Sequence, residues 1–229
     1  MMQVGIVGCG CIGNALVEWL RLHNPEVSVM IRDPDKGFND VLDTVSVVFV
    51  SIPVETQADG GQSISILEGV LTELPDVPIF IRSTILPGTT DLLAKKLRRK
   101  LYFMPEFLTE RTAVLDFSCQ PLVVTGEVEL MRTIFPGREI IQMTSLEAEI
   151  AKYAHNVFGA LKVTYFNGIS ALCSELGVDY KNVQTAVLSS GYINRPHTEV
   201  PGPDGKCGYG GKCFPKDVCA FAQIGRAHV

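Results

Sequence analysis

The sequence predicts an α/β protein: a doubly wound parallel sheet of the dinucleotide-binding type, followed by a long helix and an all-helical second domain. Three observations carry this expectation. Apolar, β-branched runs alternate with amphipathic stretches through the first half of the chain, as strands joined by crossover helices do. A G-x-G-x-x-G spacing at Gly8, Gly10 and Gly13 follows the first of those runs. Beyond Pro136 the alternation gives way to helical periodicity, and the fold is expected to change with it.

In chain order, Val4–Val7, Val27–Ile31, Val45–Ile52, Ile79–Ile81, Leu101–Met104 and Leu122–Val124 read as strands of that sheet. Among the segments between them, Asn14–Leu22, Ser63–Leu74 and Thr89–Arg98 read as helices lying on its faces. No proline interrupts the chain from Ser145 to about Leu176, and Ile150, Tyr153, Val157, Ala160, Leu161, Thr164 and Tyr165 recur at helical spacing. One helix of unusual length is therefore expected, closed by Gly177 and followed by a shorter helix at Tyr180–Ser189 and a Pro/Gly-rich loop from Gly191 to Gly211. The domains fall at residues 1–144 and 145–223. Residues 224–229, Ile-Gly-Arg-Ala-His-Val, match the translation of a common sequencing adapter and are expected to be read-through. Sequencing the source locus checks this.

The chain of 229 residues is 46% hydrophobic and 20% charged, a globular balance that excludes disorder. With 20 Lys and Arg against 25 Asp and Glu, and no block of five or more basic residues, nucleic acid is not the expected partner. The longest nearly apolar run, Val45 to Val54, is broken by Ser46, Ser51 and Pro53 and is too short to span a bilayer. Seven cysteines and an N-terminus without signal-peptide features predict reduced thiols and a cytoplasmic location.

Each glycine of the motif has a separate task. Gly8 permits the tight turn, Gly10 lets a pyrophosphate approach the backbone, and Gly13 lets helix and strand pack closely. The helix that opens there offers free N–H groups to phosphate. Asp33, twenty residues after Gly13, is the candidate for the adenosine ribose, although the strand is expected to end at Ile31. Arg32 is the candidate for a 2′-phosphate, so NAD is the first choice of cofactor and NADP the alternative.

Near the far end, Gly208-Tyr-Gly-Gly-Lys-Cys-Phe-Pro-Lys-Asp217 sets Cys213 after a glycine loop with a carboxylate four residues on. A helix starting at the cysteine would put both side chains on one face and the thiol near N–H groups that favour thiolate. Cys207, Cys213 and Cys219 lie six apart, unlike the short pairs of structural zinc sites, so no metal is expected.

Five segments, in order, resemble the UDP-glucose/GDP-mannose dehydrogenase family. They are the glycine motif, Ser83-Thr-Ile-Leu-Pro-Gly-Thr-Thr90, Pro105-Glu-Phe-Leu-Thr-Glu110, Ala148-Glu-Ile-Ala-Lys-Tyr-Ala-His-Asn156 and the cysteine segment. The resemblance implies an NAD-dependent, two-step oxidation of a nucleotide-sugar primary alcohol to a carboxylate. UDP-glucose is the favoured substrate, with UDP-N-acetylmannosamine, GDP-mannose or cofactor binding without turnover as alternatives. It implies Cys213 as the nucleophile, Lys152 and Asn156 as oxyanion donors, Asp217 in proton transfer and Glu106 in thioester hydrolysis. Thr84 and Glu110 would stand near the nicotinamide, and Ile12 beside the motif glycines. Phe107, Leu108, Tyr209 and Gly210, with Glu106, Lys152 and Asn156, would contact the sugar. A homodimer burying Ile150, Val157 and Leu161 is implied, as is a third, nucleotide-binding domain that this chain lacks. Thr109 and Arg111 depart from the family's basic residue and glycine, which leaves the sugar less determined than the reaction. His155 and His197 fall on no catalytic position and read as surface or loop residues.

Overall fold

The computed structural model describes residues 1–57 and 59–227, the last three of these by backbone alone. The strands are β1 (Met2–Val7), β2 (Val27–Asp33), β3 (Phe38–Asn39), β4 (Val47–Val50), β5 (Glu55–Thr56), β6 (Gln62–Ser63), β7 (Ile79–Ile81), β8 (Leu101–Phe103), β9 (Leu122–Val124) and β10 (Ile140–Gln142). Helices α1 (Cys11–His23), α2 (Ser65–Glu73), α3 (Thr89–Leu97), α4 (Ala113–Cys119) and α5 (Val128–Ile134) are interleaved with them. Three more follow: α6 (Ser145–Glu175), α7 (Tyr180–Ser189) and α8 (Phe214–Ala227). The segment expected to be read-through begins within α8, and its last two residues lie outside the described ones. The chain forms two compact units, one of Met1–Gln57 with Gln62–Lys152, the other running from Tyr153 onward with residues 59–61 added.

In the first unit six strands are ordered β3-β2-β1-β4-β7-β8, all parallel except the short edge strand β3. The order reverses between β1 and β4, and a crevice opens at such a point beyond the strands' C-terminal ends. Successive side chains of the central strand β4 enter two different cores. Val47 and Phe49 join α1, α4 and α5, whereas Val48 and Val50 join α2 and α3. Burial on both faces is why this segment reads as an unbroken apolar run.

Two expectations need correction. Leu122–Val124 is a strand, but it pairs with β10 in a separate two-stranded parallel sheet. The main ladder stops at β8, where the Phe103 N–H donates to the Thr125 hydroxyl at 2.7 Å instead of to a strand carbonyl. Strand β2 runs on past Ile31 to Asp33, because β1 pairs Val7 with Arg32 and β3 pairs Phe38 with Asp33.

The first two turns of α6 pack with the sheet unit. Ala148 is buried in its second core, and the Glu149 carboxylate accepts bonds from the Gly88 N–H at 2.5 Å, the Thr90 N–H at 2.9 Å and the Thr90 hydroxyl at 2.6 Å. It thus caps α3, which has no other side-chain cap. Glu149→Ala strands three donors and is expected to cost about 2 kcal/mol, read as a shifted urea midpoint.

The second unit is built by the rest of α6 with α7 and α8. Phe166, Cys173 and Tyr180 form its core with Val183 and Val187 against them. The loop after α7 is pinned at Thr198, whose carbonyl accepts from the Tyr180 hydroxyl at 2.5 Å and the Gln184 amide at 2.9 Å. Phe158, Leu161, Tyr165 and Leu172 stand exposed along α6. Val157, expected in that outward stripe, is half-buried, and Phe158 takes its place. Among the described residues no helix is long and apolar enough to cross a membrane.

Candidate cofactor and thiol sites

The glycine turn between β1 and α1 has the tolerances of a phosphate cradle. Gly8 adopts φ +84°, and a Cβ there would lie 2.5 Å from the Ser51 carbonyl oxygen; a Cβ on Gly13 would lie 2.0 Å from that of Gly8. Neither glycine can be replaced without moving backbone. Gly10 differs, since a Cβ there would meet nothing within 4 Å. That open space over the helix N-terminus is where an incoming pyrophosphate needs bare backbone. Asp33, at the end of β2, accepts the Cys9 N–H at 2.7 Å, and Lys36 donates to the Cys9 carbonyl at 2.6 Å. Arg32 is directed elsewhere, pairing with Glu73 of α2 at 3.0 Å, as strand alternation requires of neighbours. Beside the turn, Cys11, Asn14, Glu110, Arg111 and Thr112 line a cleft of about 650 Å³. The residues present therefore fit a dinucleotide.

Also in the first unit, Lys152 and Glu106 form a buried ion pair, 4% and 5% exposed in their side chains, at 2.8 Å. The ammonium also donates to the Glu106 carbonyl at 2.5 Å and lies 5.7 Å from the Phe107 ring centroid. The other Glu106 carboxylate oxygen accepts the Leu108 N–H at 2.7 Å. Burial alone would raise the Glu106 carboxyl. The Lys152 charge and hydrogen bond, the Leu108 N–H and the Arg82 guanidinium outweigh it and hold that carboxyl below its ordinary range. Thr84, after β7, is half-buried, and its carbonyl accepts from the Gln62 amide at 3.3 Å.

In the second unit, Asn156 donates to the wholly buried Asp217 at 2.6 Å, and Lys216 donates to the other carboxylate oxygen at 2.5 Å. Cys213 immediately precedes α8, and its carbonyl accepts the Asp217 N–H at 3.0 Å, so it occupies the helix N-cap. Its side chain is exposed, whereas Asp217 is not. Phe214 fixes the helix start: its ring fills the space over Gly159, where a Cβ would lie 2.6 Å from Cζ, and meets His197 edge-on at 5.2 Å. Tyr209 and Gly210 are exposed in the loop ahead of it.

Sequence reasoning passed over Lys36, Gln62 and Arg82. The last had a signal, a lone charge closing the apolar run Ile79-Phe-Ile; the other two had none.

The family model for the central domain of the UDP-glucose/GDP-mannose dehydrogenase family matches residues 146–229. UDP-glucose 6-dehydrogenase of Rickettsia bellii is 27% identical over 212 residues, which cover 82% of this chain and 46% of that protein. GDP-mannose 6-dehydrogenase of Pseudomonas aeruginosa is 30% identical over 208 residues, or 79% and 47%. The chain thus spans about half the length of the curated relatives it matches. A UDP-glucose dehydrogenase structure from Pyrobaculum islandicum aligns with a TM-score of 0.83 at 23% identity, covering all of this chain and 65% of that one. It shares the fold. The two relatives are named as nucleotide-sugar dehydrogenases, and this chain shares the fold of the solved one, its parallel sheet and long helix included.

Proposed function

We propose that the chain carries the cofactor and thiol segments of an NAD-dependent nucleotide-sugar dehydrogenase that oxidises the C6 alcohol of UDP-glucose to the carboxylate. The observation that supports this most is Cys213 at a helix N-cap, four residues from an Asp217 held by Asn156. Gly8, Gly10, Ile12 and Gly13 would hold NAD, with Asp33 for its ribose and Thr84 and Glu110 near its nicotinamide, and it would supply the hydride acceptor for both oxidations.

The Cys213 thiolate adds to the aldehyde carbon, forming a C–S bond and turning the carbonyl oxygen into an oxyanion. Lys152 and Asn156, one turn apart on α6, supply an ammonium and an amide N–H to that oxygen. After the second oxidation a water molecule, oriented by Glu106, attacks the thioester carbon and releases the thiolate and the acid. Asp217 passes protons through water. Phe107, Leu108, Tyr209 and Gly210 contact the sugar.

The 30% identity to a GDP-mannose 6-dehydrogenase keeps GDP-mannose as the second candidate. A panel of UDP-glucose, UDP-N-acetylmannosamine and GDP-mannose with NAD is expected to yield two NADH per UDP-glucose. Cofactor binding with no turnover would leave a binding segment only, and tighter binding of NADPH than NADH would overturn the choice of NAD. The exposed Phe158, Leu161, Tyr165 and Leu172 are the apolar stripe of a proposed homodimer in the cytoplasm; a monomer by light scattering would count against it.

A further inference from the structure

The cleft beside the glycine turn has two walls that come from different elements. Cys11 and Asn14 stand on the first turn of α1, and residues 110–115 run from the loop after β8 into α4. The walls touch where the Cys11 thiol donates to the Glu110 carbonyl at 3.6 Å. Further along, the same two helices pack edge to face through Trp19 and Phe117, ring centroids 6.2 Å apart.

A third tie is buried. Arg82, which follows the apolar strand β7, is 1% exposed. One guanidinium nitrogen donates to the Ile12 carbonyl in the first turn of α1 at 3.1 Å, and the guanidinium carbon lies 5.2 Å from the Phe117 ring centroid on α4. One planar group from the sheet thus touches both helices that wall the cleft. As packing alone this is costly, because Nε and Nη2 are buried and meet no acceptor among the described residues, and buried donors and cations are expensive to leave so. A methionine would fill similar space without that cost. What the guanidinium adds is a donor and a flat face held in one plane, the two features that fixing a distance between helices requires. Within an α-helix the Ile12 carbonyl already accepts from the residue four positions on, so the bond from Arg82 is not needed to complete α1; it locates it.

We infer that Arg82 is a positioning residue for the cofactor, setting the separation of the α1 and α4 walls and hence the fit of the nicotinamide half between them. The inference rests on the functional reading proposed above, in which Glu110 stands near the nicotinamide while Asp33 and the glycine turn take the adenosine half.

The test is calorimetric binding of NAD and of AMP to the whole chain. Arg82→Met is expected to weaken NAD about tenfold, the scale of one hydrogen bond and one ring contact together. AMP carries only the adenosine half and one phosphate, and should bind the variant as it binds the parent. Arg82→Lys keeps the buried cation and loses the flat face, so it remains informative where Arg82→Met does not fold; it is expected to cost about threefold on NAD and nothing on AMP. Equal losses for the two nucleotides would make Arg82 a general support of the turn, and unchanged NAD binding would remove it from the site; either result overturns the proposal. A second measurement needs no ligand. In a crystal structure of either variant without nucleotide, the 3.6 Å contact between Cys11 and Glu110 is expected to open, and its persistence overturns the proposal. Should the parent chain bind neither nucleotide, the functional reading fails, and that contact alone still decides whether Arg82 spaces the walls.

Discussion

Replacing Cys213 by serine is expected to lower sugar-acid formation from UDP-glucose and NAD by about 10³-fold or more, the scale on which loss of a covalent nucleophile is felt. Cys213 sits at the N-cap of α8, the positive end of the helix dipole, which favours a thiolate. A serine hydroxyl is far less acidic and needs a base. The nearest carboxylate in the sequence, Asp217, is wholly buried and already accepts from Asn156 and Lys216, whereas the Cys213 position is exposed. Since the first oxidation precedes the covalent step, NADH per sugar should fall from two to at most one. Unchanged acid production would rule out covalent catalysis at Cys213.

Lys152→Met is expected to have the largest effect on stability, about 3 kcal/mol at pH 7, because removing one member of a buried pair leaves the other uncompensated. The sign with pH follows from Glu106, whose folded pKa lies below the ordinary 4.5 in the parent chain. Its pairing contributes fully above 4.5 and is lost as pH falls through the lower folded value. In the variant the carboxyl rises, so protonation relieves it earlier. The gap between parent and variant, measured by denaturant melts, should therefore narrow from pH 7 towards pH 4. A constant gap would mean that Lys152 stabilises by packing alone.

What could be read from the sequence divides along physical lines. Strands buried on both faces, such as Val47–Val50 and Ile79–Ile81, announce themselves as apolar runs. The 31-residue α6 does so by its period. The two- and three-residue strands β3, β5, β6 and β10 are too short to show any period. Leu122–Val124 had the right composition, but whether a strand joins a ladder depends on what its neighbour's N–H groups bond to, as Thr125 demonstrates. The chemical residues were nameable one by one from motifs. Their pairings were not, because Glu106 meets Lys152 across 46 positions and Asn156 meets Asp217 across 61. Sequence distance carries no trace of such contacts.

Ownership of the first turns of α6 bears on how the protein can be dissected. A fragment ended at Thr144, where the sheet gives way to helix, would lose the Ala148 plug, the Glu149 cap on α3 and the ammonium that neutralises Glu106. Such a piece would have a complete sheet and still be unstable. An autonomous sheet unit has to include the opening of the long helix and extend at least to Lys152, which makes the smallest foldable unit longer than the smallest recognisable one.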